Sequence, residues 1–317
     1  PATPDAPKRS AAPAQKARHA DPATPYIAPR TPWGDPDLQG VWSSDEEASV
    51  PFERPLGQVK DTVDGCELED LLEQREQQRA SRAPTIGGDT GAGPTHWYEN
   101  WGRESARTSL VVDPPDGRVP VLTPEAKERQ RTRVGGGGSF GSGPFEKPDD
   151  FSLYDRCITR GLPSAMFPAI YNNNTRIMQG PGFVALTYEM IHETRVIPLD
   201  GRPFSSGRIR GYLGDARGHW EGDTLVVVTK HFSSKANYRG AGESLRLVER
   251  FRRVGEGGVR YEVTVQDPQT FTRPWTAALN LASGAGLFEY ACHEGNYAMR
   301  NMLSAARVAE AADSGKR

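Results

Sequence analysis

Over most of the second half of the chain, apolar and polar residues alternate with a period of two. That is the pattern of strands with one face turned inward. In SLRLVERFRRV (244–254), Leu245, Leu247, Glu249 and Phe251 share one face, and Arg246, Val248, Arg250 and Arg252 share the other. In VRYEVTVQD (259–267), Tyr261, Val263 and Val265 alternate with Glu262, Thr264 and Gln266. TRIMQG, GFVALTYEM, ETRVIPL, GDTLVVVTKHF, WTAALNLA and LFEYACHE read as further strands. They are separated by Pro181-Gly182, GEGG, DPQ and SGAG turns. Close succession of short strands predicts an antiparallel meander forming a barrel or sandwich, with one wet face toward solvent or a polar cavity.

Before residue 150 the pattern is thinner. Residues 64–82 predict a surface helix with an acidic start and a basic end. Thr123-Pro124-Glu125 opens a short helix to about Val134, with Thr123 as its N-cap. SLVVDPPDGRVPVLT (109–123) predicts a hairpin around Pro-Pro-Asp-Gly. Trp33 and Trp42 predict anchors that clamp the segment from 31 onward. VGGGGSFGSGPFEKP (134–148) reads as a linker. The expected organisation is a disordered tether over 1–30, an irregular N-terminal extension over 31–150 wrapping the main body, a β barrel or sandwich over 151–305, and a short frayed helix in the tail, 306–317.

Composition sharpens this. The 34 Gly and 26 Pro make up nearly a fifth of the 317 residues, against about 12% in ordinary domains, which favours turns over helices. A net charge of −2, with no basic stripe, argues against a nucleic-acid partner. No apolar run approaches the ~20 residues of a membrane span. The opening segment, rich in Ala, Pro, Lys and Arg, resembles the tether left by a cleaved signal or lipoprotein sequence. The alternative is a cytoplasmic disordered tail.

Three cysteines are present, Cys66, Cys157 and Cys292, with no CxxC. Cys157 in YDRCITRGLP and Cys292 in YACHEGNY are expected to pair, leaving Cys66 free. The alternative is two buried thiols. A bridge would close a loop worth roughly 4–5 kcal/mol in chain entropy.

Several apparent motifs carry nothing. Gly137 to Gly141 matches G-x-S-x-G, and Gly136, Gly138 and Gly141 match G-x-G-x-x-G. Both lie in a glycine run with no helix to follow. The Asn173-Asn174-Thr175 sequon lies in a stretch, Tyr171 to Asn174, read as a turn entering a strand, whose Tyr171 and Asn173 are candidate ligand contacts. His19 falls in the tether and His96 in an aromatic loop.

The remaining histidines carry the candidate chemistry. In TYEMIHETR, strand alternation places Tyr188, Met190 and His192 on one face as an acid/base pair, with Arg195 close by as a substrate contact. In GDARGHWEGD, Asp215 can orient His219, or Arg217 can simply pair with Asp215. In CHEGNY, a bridge at Cys292 would bring His293, Glu294, Asn296 and Tyr297 beside Arg156 and Arg160. Such a cluster suits an anionic or polyhydroxylated ligand. His192, His219, His231 and His293 form an alternative zinc or copper set, although no pair has strand or helix ligand spacing.

The blocks TPWGDPDLQGVW, VVDPPDGRVP, RCITRGLPSAMFP, GHWEGDTLVV, FTRPWT and EYACHEGNY resemble a large family of exported proteins of soil and aquatic bacteria, over roughly residues 31–305. The resemblance implies export and a bacterial source, and carries no activity. At the level of fold the meander is similar to lipocalin-type barrels. These features predict an exported, cofactor-free enzyme of lyase, hydratase or isomerase type. His192, Tyr188, His219 and His293 would move protons. Arg160, Tyr171, Asn173, Arg195, Glu294 and Tyr297 would hold a carbohydrate or phenolic substrate. Glu189, Glu249 and Glu294 leave a glycosidase open. The alternatives are a small-ligand-binding barrel without catalysis and a metal-dependent multi-histidine enzyme. The sequence sets no oligomeric state.

Overall fold

A computed structural model describes residues 26–82, 105–132, 145–169, 171–236 and 238–314. Among the described residues the strands are β1 (Gly40–Ser43), β2 (Val111–Asp113), β3 (Asn174–Gly180), β4 (Phe183–Tyr188), β5 (Thr194–Pro198), β6 (Asp215–Glu221), β7 (Thr224–Lys230), β8 (Arg246–Gly255), β9 (Gly258–Gln266) and β10 (Trp275–Ser283). Helices α1 (Gly65–Arg82), α2 (Pro124–Thr132) and α3 (Ala298–Ser314) lie outside the sheet. The order β5-β4-β3-β1-β10-β9-β8-β7-β6, antiparallel at every neighbour, curls into a nearly closed barrel of lipocalin-like type.

Closure has a geometric consequence. With nine strands alternating in direction, the two edge strands β5 and β6 run the same way. An all-antiparallel ladder therefore cannot complete the circle. β5 and β6 lie against each other without a ladder, and side chains seal the seam. Gly218 on β6 leaves room for that seal: a Cβ there would sit 2.6 Å from Leu199 Cδ2 and 2.9 Å from Ile197 Cγ2.

The alternation read from the sequence sorts inside from outside as expected. Leu245, Leu247, Glu249, Phe251, Tyr261, Val263 and Val265 all face the core, and the polar partners face out. With Trp275, Tyr188, Ile177, Leu186, Ile197 and Leu225 they make one continuous cluster that fills the barrel with side chains.

Inside this core sits one bidentate ion pair. Arg195 on β5 donates to Glu249 on β8 at 2.8 and 2.7 Å, and Tyr261 Oη donates to Glu249 Oε1 at 3.1 Å. Arg195 is 6% exposed and Glu249 0%. Burial works against the Arg195 charge, and the Glu249 carboxylate overcomes it, so its pKa stands above the ordinary value.

The N-terminal segment does more than wrap the body. β1 is a barrel strand between β3 and β10, and it shares one edge of β10 with β2. Trp42 is buried as an anchor and donates to Leu38 O at 2.9 Å, while Trp33 remains exposed and donates to Asp35. Glu47 ties the extension to β10, accepting from Arg107 and from the Asn280 amide, each at 3.1 Å.

Three expectations change. The 109–123 segment is not a hairpin: β2 pairs with β10, and the arm after Gly117 meets the segment before β10 instead, through a Leu122–Phe271 bridge and the Thr272 amide on Val121 O. Pro114, Pro115 and Pro120 lack the N–H donors that a second ladder would need. LFEYACHE forms no strand, because both edges of β10 are already taken. The tail helix starts earlier than expected, at Ala298, and runs to Ser314. Helix α2 does begin at Pro124 with Thr123 as its cap, the Thr123 Oγ1 accepting from the Ala126 amide at 3.1 Å. Most of the tether, the linker glycines with both motif matches, His19 and His96 lie outside the described residues.

Removing one member of a buried pair strands the other. Glu249→Ala should therefore cost about 3–5 kcal/mol in urea unfolding, and the double change Arg195→Met with Glu249→Leu should cost clearly less. A double variant weaker than the single one would show that the pair itself, not the stranded charge, carries the stability.

Candidate functional site

The Cys157–Cys292 disulfide forms as expected, with Cα atoms 5.8 Å apart, and Cys66 is free and exposed. The bridge joins the loop before β3 to the loop after β10. Two further pieces converge on it, the Tyr171 turn and the β4–β5 hairpin. Glu189, buried at the start of that hairpin, accepts from the Asn174 amide (3.1 Å), from Asn174 Nδ2 (2.9 Å) and from the Phe288 amide (2.8 Å). Thr159 donates to Glu193 at 2.6 Å. Two turns of the loop before β3, the β4–β5 hairpin and the loop after β10 are thus locked at one rim of the barrel.

At their centre lie Tyr154, Tyr171, Tyr290 and Arg160, all half-buried. The Tyr154 and Tyr290 hydroxyls are 2.9 Å apart. The Tyr171 and Tyr290 rings stack with centroids 6.3 Å apart. Arg160 lies 5.9 Å from the Tyr154 ring centroid, donates through Nε to Ser164 O at 3.0 Å, and meets the Met190 sulfur through Nη1. No carboxylate is among its partners in the described residues. Burial pulls the Arg160 pKa below its ordinary value, and the three phenols pull the other way. Burial, reinforced by the hydrogen bond to Tyr290, pushes Tyr154 up to about 12. Burial likewise raises Tyr171 and Tyr290. At neutral pH the cluster presents one cation and three protonated phenols, which are hydrogen-bond donors.

Backbone strain gathers here too. Of six non-glycine residues with positive φ among the described residues, four belong to these segments: Cys157 (55°), Asn172 (54°), Ile191 (65°) and His192 (45°). Strain of this kind concentrates at functional sites, held by the surrounding structure.

The two consecutive positive φ values also correct the face assignment in TYEMIHETR. Residues 189–193 are a tight hairpin, closed by the Tyr188 amide on Glu193 O at 2.9 Å, not a continuing strand. Tyr188 points into the core, and His192 stands exposed on the hairpin whose Met190 touches Arg160. Arg195 is sealed inside with Glu249, and the Tyr188 hydroxyl beside it has no partner among the described residues.

The other candidates separate. Arg160 and Tyr171 are central. His293, Glu294 and Tyr297 are exposed beyond Cys292. Asn173 spends its amide on Ala169 and Asp45, as turn chemistry predicts. His219 lies on the outer face of β6 and meets Glu221 at 3.1 Å, and Asp215 is engaged by Arg217 and Ser205 rather than by His219. His231 sits at the end of β7 with its ring edge-on to Phe204. Among the described residues no three His, Cys, Asp or Glu come together to hold a metal ion, so the four histidines do not assemble. Glu189 and Glu249 have both oxygens engaged within the fold.

Tyr154 and Tyr290 were not singled out in the sequence. Each lies just before a bridged cysteine, in YDRC and EYAC, and that position is the signal that marks them. No family model, curated protein or solved structure matches this chain.

The phenol shifts set a pH dependence. A raised Tyr154 pKa means that the unfolded chain loses its proton first, so its contribution to stability is complete below pH 10.0 and is lost as pH rises toward about 12. In a phenolate absorbance titration of the folded protein, Tyr154→Phe should remove one late-titrating group. If all ten tyrosines of the native chain titrate together at the ordinary value, the cluster is open to water and this enclosure is wrong.

Proposed function

We propose that this chain is an exported small-ligand-binding barrel protein that takes a small organic acid at the disulfide-pinned cluster. The ligand carboxylate pairs with Arg160. Its remaining oxygens accept from phenol hydroxyls of the Tyr154, Tyr171 and Tyr290 cluster, exchanging hydrogen bonds that the hydroxyls otherwise make to one another, with His192 and His293 at the margin. Sugar acids and phenolic acids fit this chemistry, since both add hydroxyls to a carboxylate.

One observation carries the reading: a half-buried guanidinium with no carboxylate partner. Arg195 is neutralised by Glu249 and Arg107 by Glu47, and buried Arg54 and Arg75 donate to backbone carbonyls, whereas Arg160 faces a cluster of phenols at the rim. Leaving a buried charge unpaired is costly, and a ligand anion offsets that cost. The barrel interior offers less, because aromatic and aliphatic side chains fill it. Export is supported by the disulfide, which persists in oxidising compartments. Among the described residues no helix is long and apolar enough to cross a membrane.

A catalytic reading at the same cluster rests on the strained turn that presents His192. It requires a substrate whose turnover falls in His192→Ala while binding persists.

Binding is tested by calorimetry with galacturonate and 4-hydroxybenzoate. Arg160→Gln should weaken affinity at least about tenfold, or ~1.4 kcal/mol, with little change in melting temperature. Arg160→Lys should recover part of it, as a point charge without the planar fork. If neither acid binds, or if Arg160→Gln binds as well as the parent, the proposal fails.

A further inference from the structure

A second feature lies in the N-terminal extension, and none of its residues belongs to the disulfide cluster. Residues 54–59 and the turn at 115–118 enclose a surface hollow of about 350 Å3. Its lining combines Arg54, Gln58 and Arg118 with Pro55, Leu56, Val59 and Pro115.

Arg54 is the unusual member. It is 5% exposed, yet no carboxylate is among its partners in the described residues. Its Nη1 donates to Pro115 O at 2.8 Å and to Val59 O at 3.2 Å, which holds the two walls of the hollow together. Its Nε is buried without an acceptor. The guanidinium passes Gly117, where a Cβ would lie 2.9 Å from Nε, and Gly117 has φ of 68°. Both the space and the conformation call for glycine at this position.

Arg118 adds a second guanidinium. Its Nη1 donates to Arg54 O at 2.8 Å, and Nη2 lies 3.6 Å from Glu53. Asp116, the acid in the lining, accepts the Arg118 amide at 3.1 Å. The walls expose apolar surface where water would be expected: Leu56 is 88% exposed and Val59 83%. A buried cation without a counter-ion, next to an uncovered apolar wall, matches a ligand with an acid at one end and hydrocarbon at the other.

We infer that this hollow binds a small amphipathic carboxylate, its acid on Arg54 and Arg118 and its apolar body against Leu56 and Val59. The site is independent of the one at Arg160, and the two separate experimentally.

Octanoate is the probe, with octanol as its hydrocarbon without the charge and inorganic phosphate as an anion without hydrocarbon, measured by calorimetry on the whole chain. Octanoate should bind with Kd below ~1 mM, and octanol and phosphate each at least about tenfold more weakly. The double change Leu56→Asp with Val59→Asp alters only exposed side chains and should weaken octanoate at least about tenfold. Arg118→Gln should do the same, while Arg160→Gln should leave octanoate binding as it was. Arg54 itself is left in place because it braces both walls. Failure of octanoate to bind, equal affinity for phosphate, or indifference to the Leu56/Val59 and Arg118 changes would each overturn the assignment. So would loss of octanoate binding in Arg160→Gln, or attachment to phosphatidylglycerol vesicles that octanoate does not displace.

Discussion

The Arg195–Glu249 pair ties together the two ends of a sheet that cannot hydrogen-bond to itself. Arg195 lies on β5, the first strand in sheet order, and Glu249 on β8, near the other end. Between them lies the seam where β5 and β6 run in the same direction. Two parallel charge-assisted bonds cross that gap in a low-dielectric core, with Thr229 on β7 and Tyr261 on β9 adding polar contacts. Ile197 and Leu199 close over Gly218 beside them. A buried ion pair is weak evidence for stability by itself, and here its role is registry: it sets which strands face each other across an open seam.

The same packing decides where ligand chemistry can sit. Large side chains occupy the barrel interior, so polar groups with spare capacity collect at the rim and in the extension. At the rim, the disulfide closes a loop of 135 residues, an entropic restraint of about 5 kcal/mol in the chain model. Its second effect is positional. Together with Glu189 and Thr159 it holds two turns of the loop before β3, the β4–β5 hairpin and the loop after β10 against one another, and three phenols and a guanidinium meet at their junction. The strained residues Cys157, Asn172, Ile191 and His192 lie in these same segments, so tertiary contacts pay for local conformations that the chain would otherwise avoid.

Much of this was legible in the chain. Alternation in SLRLVERFRRV and VRYEVTVQD assigned the inward faces, Glu249 included. Thr123 marked a helix start, the cysteine contexts marked the bridge with Arg160 in its neighbourhood, and Tyr171 stood out separately as part of a turn that could face a ligand. Other features were not. GVWS is too short to show a period, so its place in the barrel could not be read. TYEMIHETR looks like one strand by composition, and only the backbone reversal at Ile191 and His192 separates Tyr188 from His192. LFEYACHE has strand-like residues but meets no free sheet edge.

By itself, the sequence determined the local matters: which residues favour extended chain, which faces turn inward, where a helix is capped, and which cysteines are available to pair. Those follow from periodicities and side-chain chemistry over a few residues. Tertiary structure alone decided the nine-strand count with its parallel seam, the burial of Arg195 with Glu249, and the meeting of Tyr154, Tyr171, Tyr290 and Arg160. Each of these depends on contacts between segments far apart in the chain. Such contacts leave no local pattern, because closure of the sheet sets them, not the residues beside them. The cystine at Cys157 and Cys292 belongs to both levels: its partners are visible in the sequence, and what it gathers around itself is visible only in the fold.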